Sequence, residues 1–357
     1  MKKRLFGKKR VLLCCVIAAA CLCAGCGSGK KGSTQKTDAG YAAMETSDYR
    51  GAESAFREAV SQGEDALQAY RGLGIALMGQ AKYADAVTAF DTALSCADDK
   101  MPQTVKDILE YKITCQYRLN DYEGTIKTGE TLTELDDKLV MAYFYTGAAR
   151  LNQGNTAEAE ANFDYAVSLD PGNYKLYLDI YSVYEDAKLS GIGDEYLQTA
   201  LGIAPESVED YYNVGQIYFY LEEYDEAASA LIGPVDKQYE PALALMGQIY
   251  LARKDYDNAK ATYSQILSVN GENKDAYNGL ALCALAVSDT DAALDYIAQG
   301  LGLSGEAGRQ ELYFNEIVAF EKRLDFLTAR DKCREYVERY PTDEAGAKEL
   351  AFLNTRV

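Results

Sequence analysis

The sequence contains no histidine and no tryptophan, and only six prolines in 357 residues. Without histidine the chain lacks the commonest general base and the usual zinc ligand. There is no G-x-S-x-G and no Cys-His pair, so nucleophilic triads have no members to draw on. Acidic pairs such as Asp289 with Asp291 recur where one helix ends and the next begins, a position that helix capping accounts for. An EF-hand loop needs Gly at its sixth place and Glu at its twelfth; neither "DTDAALDYIAQG" nor "DYDNAKATYSQI" supplies both. The chain is therefore read as a non-enzyme with no cofactor, no metal site and no catalytic residue. Positive charge is also scarce, 36 Lys+Arg against 55 Asp+Glu. That balance excludes nucleic acid as a partner, because neutralising phosphates requires clustered Lys and Arg.

Cysteine is abundant only at the start. The opening "MKKRLFGKKR" carries six positive charges, and the thirteen-residue apolar run Val11 to Cys23 follows. This is the charged and apolar pair of regions of an export signal, too short to span a bilayer comfortably as a helix. Its end, Cys23-Ala24-Gly25-Cys26, resembles a bacterial lipoprotein box, with small residues before a cysteine whose thiol receives lipid. The match departs at Cys23, where that family has Leu; Leu22 lies one place further back. The resemblance implies a leader over residues 1–25 and a mature chain that begins at lipidated Cys26, anchored to the outside of a bacterial membrane. Ordinary signal cleavage and an uncleaved anchor are the other two readings. Within the leader Cys14, Cys15, Cys21 and Cys23 serve as small hydrophobes.

Gly27, Gly29 and Gly32 satisfy G-x-G-x-x-G, but no strand precedes them and no βαβ unit surrounds them. Residues 26–38 read instead as a flexible tether with a mean reach of roughly 20 Å. With the leader and its six cations removed, 30 Lys+Arg face 55 Asp+Glu, a net charge of −25. Residues 140–300 hold 8 basic and 25 acidic side chains, whereas 309–357 hold 9 and 10. The acidity is either a solvated, self-repelling surface or a face that steers basic partners. The later cysteines, Cys96, Cys115, Cys283 and Cys333, are either buried single thiols or, for the first two, a bridge.

Internal repetition organises the rest. "YRGLGIALMGQAKYADAVTAFDTAL" from Tyr70 and "YYNVGQIYFYLEEYDEAASAL" from Tyr211 share Tyr, Gly four places on, Tyr thirteen on and Ala sixteen on. A 34-residue period divides the chain into 33–66, 67–100, 106–139, 140–173, 174–207, 208–239, 240–273, 274–307 and 310–343. The eighth place holds Gly40, Gly74, Gly147, Gly215, Gly247 and Ala281, with Ile113, Tyr181 and Ile317 as departures. The twentieth is small throughout: Ala52, Ala86, Thr125, Ala159, Gly193, Ala227, Ala259, Ala293 and Ala329. Small residues in both helices of a pair let their axes approach closely. Asp225, Asp257 and Asp291 sit where a second helix begins, and Pro171, Pro205 and Pro341 follow where it ends. The fourth place, Tyr70, Leu109, Tyr143, Tyr177, Tyr211, Leu243, Tyr277 and Tyr313, reads as an anchor packed between helices.

The pattern resembles the tetratricopeptide repeat (TPR). Tyr70, Leu73, Gly74, Leu77, Tyr83, Ala86, Phe90 and Ala93 carry its signature in the second unit, and Tyr143, Gly147, Ala159, Phe163, Ala166 and Pro171 in the fourth. The resemblance implies an all-α fold, a right-handed superhelical solenoid of about nine TPR helix-turn-helix units over 39–343, with a capping helix over 344–357 that covers Tyr313, Phe320 and Phe326. The first unit reads as incomplete, because "STQKTDA" is too polar for a full helix. The third reads as the weakest, because Ile113 and Gly129 stand where Gly and a large apolar residue are expected; a bend or a partner contact is the reading there.

The family lines a concave groove with the first helix of each pair. Carried onto this chain, those places give Phe144, Asn152, Leu178, Tyr212, Gln216, Phe219 and Gln248 as a groove for a protein or peptide segment. Neighbouring helices also bury some of these places, so packing is the competing reading for them. The Lys/Asn clamp that some members use for a C-terminal carboxylate is absent. The expected function is a membrane-anchored extracytoplasmic scaffold for protein or peptide binding, in envelope assembly or secretion. The alternative is a binding protein for a glycan or other small envelope ligand that uses the tyrosines of the sixth unit.

Overall fold

A computed structural model describes residues 34–98 and 100–357. The leader, Cys26 and the tether up to residue 33 lie outside the described residues. Among the described residues every regular element is a helix, and the helices come in pairs. They are α1 (Gln35–Glu45) with α2 (Tyr49–Ser61), α3 (Ala66–Gly79) with α4 (Tyr83–Ser95), and α5 (Pro102–Arg118) with α6 (Tyr122–Leu135). Then follow α7 (Val140–Asn152) with α8 (Thr156–Leu169), α9 (Tyr174–Asp186) with α10 (Ser190–Ala200), and α11 (Val208–Tyr220) with α12 (Tyr224–Asp236). The last pairs are α13 (Glu240–Ala252) with α14 (Tyr256–Val269), α15 (Lys274–Ala286) with α16 (Thr290–Gly302), and α17 (Arg309–Lys322) with α18 (Phe326–Arg339); α19 (Glu344–Leu353) stands alone. The chain forms two compact units, 34–196 and 197–357, divided inside α10. Within each, a helix packs on its successor, and first helices also touch the first helix of the next pair, as α5 touches α7 and α11 touches α13. This is a helical-hairpin solenoid, the expected fold class.

Each hairpin closes through one left-handed residue. Ser47, Ala81, Asn120, Gly154, Lys188, Glu222, Lys254, Ser288 and Leu324 all have positive φ, between 58° and 85°. At the second pair Ala81 N–H reaches Met78 O and Lys82 N–H reaches Leu77 O, both at 2.9 Å, which satisfies carbonyls the helix end leaves over. Only Gly154 takes this conformation freely; an L-residue gives up about 1–2 kcal/mol there. Several following helices are then capped by Asp. Asp48, Asp121, Asp255, Asp289 and Asp325 accept from the backbone N–H three residues on. Asp225, Asp257 and Asp291 lie inside the first turn, where their charge meets the positive helix end.

The core follows from the repeat columns. The twentieth-place residues Ala52, Ala86, Thr125, Ala159, Ala227, Ala259, Ala293 and Ala329 are all fully buried. The eighth-place glycines are holes for a side chain sixteen residues later. A Cβ added at Gly40 would sit 2.6 Å from the Phe56 ring, at Gly74 2.4 Å from Phe90, at Gly215 2.6 Å from Leu231, and at Gly247 2.6 Å from Tyr263. The same rings also reach the next pair. Gly72 would bring a Cβ to 2.2 Å from Phe56, and Gly279 to 2.4 Å from Tyr263. One aromatic thus wedges between two first helices and joins repeat to repeat.

Four sequence expectations change. The third unit is not weakened: Ile113 is fully buried, and Gly129 across from it is the hole, so knob and hole have exchanged helices. A Cβ at Gly129 would meet Thr146 Oγ1 at 2.0 Å, so the absent side chain admits α7. The first unit does have its first helix, and the helix takes up residues 35–38 of the expected tether. Its polar start is held by Glu64, whose carboxylate accepts from Lys36 N–H (3.0 Å), Thr37 N–H (2.9 Å) and Thr37 Oγ1 (2.7 Å). Tyr211 is no anchor, being 45% exposed. Cys96 is exposed, and no bridge joins it to buried Cys115. At the far end α19 behaves as expected: Leu350 and Leu353 pack with Tyr313, Phe320 and Phe326.

The wedge predicts the sign of a glycine substitution. Gly72→Ala improves helix propensity by about 1 kcal/mol. It should nevertheless destabilise by about 1–3 kcal/mol, because the methyl group meets the Phe56 ring. Phe56→Leu in the same chain should recover part of the loss. Urea unfolding followed by circular dichroism reads both; a stabilised Gly72→Ala chain would show that the wedge is not tight.

Candidate functional site

In the first unit the groove places are spent on the protein itself. Arg71 Nε pairs with Asp107 Oδ2 at 2.5 Å, and its Nη1 donates to the Tyr41 hydroxyl at 3.1 Å, tying α1, α3 and α5 together. Phe144 is a core residue and corrects the expectation: only 6% exposed, its ring centroid lies 5.4 Å from Tyr145 and 6.0 Å from Phe163. Ala148 and Leu151 on the same helix are buried too. Asn152 is exposed, but Nδ2 donates to Ala148 O (2.8 Å) and Oδ1 accepts from the Tyr122 hydroxyl (3.2 Å). Leu178 is half-buried on α9.

The second unit differs. Tyr212, Gln216 and Phe219 follow the i, i+4, i+7 spacing of one face of α11, and all three are half-buried. Tyr212 packs edge-on against Tyr239, centroids 5.4 Å apart, and burial pushes its phenol up to about 12, so it remains a neutral donor. Phe219 lies edge-on to Tyr220 (6.0 Å) and Tyr224 (5.8 Å). Gln248 stands on α13 at the place that Gln216 occupies on α11, and it is also half-buried. Neither amide makes a side-chain hydrogen bond among the described residues. The four expected residues of this unit therefore lie on two touching helices, while Phe144, Asn152 and Leu178 belong to the other unit.

The face continues beyond α13. Asn278 and Leu282 hold the fifth and ninth places of α15 and are half-buried; Asn278 Oδ1 accepts from Asn315 Nδ2 at 2.7 Å. The same column count finds both. The first turns of α11, α13 and α15 carry Glu209, Asp210, Glu240 and Asp275. The single cation of these three helices, Lys274, donates to the Ser304 carbonyl. The face thus offers aromatic area and spare amides beside a negative edge, a combination suited to an extended or helical segment.

Two stretches, residues 37–100 and 244–307, match the profile of the Tetratricopeptide repeat family. Tetratricopeptide repeats are thus present in both units of the chain. A TPR protein from Parabacteroides merdae superimposes with a TM-score of 0.54 at 17% identity, over 70% of this chain and 98% of that one. Yeast Tom70 superimposes with a TM-score of 0.51 at 14% identity, over 90% of this chain and 81% of that one. A Drosophila melanogaster BBSome complex member BBS4 homolog is 23% identical over 199 residues, 52% of this chain and 41% of that protein's length. These likenesses show the fold. TPR proteins are typically scaffolds that bind protein or peptide partners. Among the described residues no three His, Cys, Asp or Glu groups gather as a metal site, and no helix is long and apolar enough to cross a membrane.

The repeat core also sets thiol chemistry. Burial pushes Cys115 and Cys283 up to about 12 and Cys333 up to about 11, which leaves them protonated and unreactive, whereas Cys96 is exposed. In a chain starting at residue 34, maleimide at neutral pH should label Cys96 alone, and all four thiols once urea unfolds the array. Mass spectrometry counts the labels; rapid native labelling of Cys283 would contradict the packing.

Proposed function

We propose that this TPR protein is a membrane-tethered extracytoplasmic scaffold that holds a protein or peptide segment on the face formed by α11, α13 and α15. One observation carries the reading: Gln216 and Gln248 recur at equivalent places of the touching helices α11 and α13, both half-buried, and neither makes a side-chain hydrogen bond among the described residues. An amide side chain both donates and accepts, so a ladder of them bonds the backbone of a segment whatever its sequence. The aromatic and aliphatic area supplies affinity. The negative edge at Glu209, Glu240 and Asp275 favours segments with basic residues and repels acidic ones. A C-terminal carboxylate is a poor fit, since the three helices offer no uncommitted cation to receive it.

Tethering rests on the leader and on Cys26. A double-chain lipid there gives stable anchoring, where one acyl chain is marginal. Export and anchoring together place the scaffold in envelope assembly, secretion or a surface complex. A small envelope glycan is the competing occupant. The depressions at Tyr218, Asp225 and Glu226, and at Tyr49, Gln80 and Lys82, are open surface features rather than enclosed pockets.

Two experiments test the reading. A photocrosslinking residue placed at 216 in intact cells should give protein adducts that disappear in Tyr212→Ala/Gln248→Ala, while the same probe at Ser229 on α12 should give none. Adducts from 229 alone would move the interface to the outer helices, and saturable binding of a cell-wall fragment lost in Tyr212→Ala would favour the glycan. For the anchor, Cys26→Ser should abolish incorporation of labelled fatty acid and leave the leader uncut. A variant that still takes up label would refute the lipid assignment.

A further inference from the structure

The last helix is seated on a carboxylic acid pair. Glu321 lies in the last turn of α17, and its Oε1 is buried with no hydrogen-bond donor. The ionisable neighbour that acts on Glu321 is the carboxyl group of Glu349 on α19. A carboxyl group becomes a donor only when protonated, so the orphaned oxygen is satisfied only while the pair holds a proton. No cation is available to settle the charge instead. On α19, Lys348 pairs with Glu344 (3.2 Å); on α18, Lys332 pairs with Glu316 (3.2 Å) and Arg330 with Asp331 (3.0 Å). Just past α17, Arg323 binds Asp291 of α16, and Lys322 at the end of α17 is exposed. The charges of α15, Lys274 and Asp275, are in its first turn, away from the last turn of α17. The remaining titratable neighbour is Cys333 of α18, a buried thiol whose Sγ donates to Gly346 O at 3.6 Å.

We propose that Glu321 and Glu349 form a proton-dependent latch: while they share a proton α19 is held on α17 and α18, and its loss raises the frequency of openings that uncover Ile317, Cys333 and Leu353. Burial, then the Glu349 carboxyl beside it, pushes Glu321 up to about 7. The seated state therefore binds the proton more tightly than the released state, where a carboxyl returns to about 4.3. The stability this contributes is complete below about pH 4 and is lost as pH rises through 7. Opposing the release are the Leu350 and Leu353 contacts and Asp343, which caps α19 at Ala345 N–H (2.8 Å) and accepts from the Tyr336 hydroxyl. These do not titrate with the pair near neutral pH, so the latch modulates opening without removing the helix outright.

Hydrogen exchange of the amides of residues 344–353, measured on the full chain and corrected for intrinsic rates, tests the latch. Protection of α19 should fall about tenfold between pH 6 and pH 8. In Glu321→Gln and in Glu349→Gln the amide donates permanently to the remaining carboxylate, and the fall should shrink below about twofold. Leu350→Ala, a packing control, should lower protection at every pH and keep the slope. A pH-independent wild type would overturn the proposal, as would a tenfold fall that persists in both Gln variants.

Discussion

The array depends on one side chain per repeat. A ring such as Phe56 or Tyr263 fills the hole above a glycine in its own hairpin and a second hole in the next, so one wedge fixes both the hairpin spacing and the repeat spacing. A hairpin of two such helices has too little apolar area to fold alone, and stacking supplies the remainder. What must be conserved in a pair is therefore complementarity rather than residue type. Ile113 with Gly129 meets that requirement as well as Gly74 with Phe90 does, with the large member on the other helix.

Around that wedge the hairpins tolerate local strain. Eight of the nine turns place a non-glycine residue at positive φ, and Leu324 does so while 74% exposed. The conformation is unfavourable in each case, yet it directs two N–H groups at helix-end carbonyls and sets Asp325 to cap α18. Because the same turn recurs at the repeat period, its geometry is imposed by helix packing on both sides rather than selected by the turn residue. Glycine is thus spent where a ring must pass and, Gly154 apart, withheld from the hairpin turns.

The sequence was most informative where a column serves packing alone. The small residues at the eighth and twentieth places and the capping helix laid over Tyr313, Phe320 and Phe326 were legible because each follows from what fits between helices. It misled where one position depends on a distant partner. "STQKTDA" looks too polar for a helix until Glu64, more than twenty residues on, receives its first N–H groups. Ile113 looks like a defect until Gly129 is set against it. Phe144 was placed in the groove by column number, but Phe163 and Tyr145 close over it. Column position identifies the helix face; whether a neighbour covers that face depends on side-chain size in the adjacent repeat.

The two units differ in how much of the first-helix face their own side chains use up. In the first, Arg71, Asp107 and Tyr41 consume one another's hydrogen-bonding capacity, and large rings at Phe144 and Tyr145 fill the space between first helices. In the second, the seventh unit brings small or amide side chains, Ala244 and Gln248, next to Tyr212 and Phe219, so the rings are only half covered and the amides meet no partner. A half-buried amide without a partner is a standing cost unless water or a ligand completes it. An extended segment can complete two such amides at successive repeats at once, whereas a compact ligand would have to bridge from one repeat to the next to reach both. That difference favours a chain-like partner on this face, with the acidic first turns of α11, α13 and α15 selecting among candidates by charge.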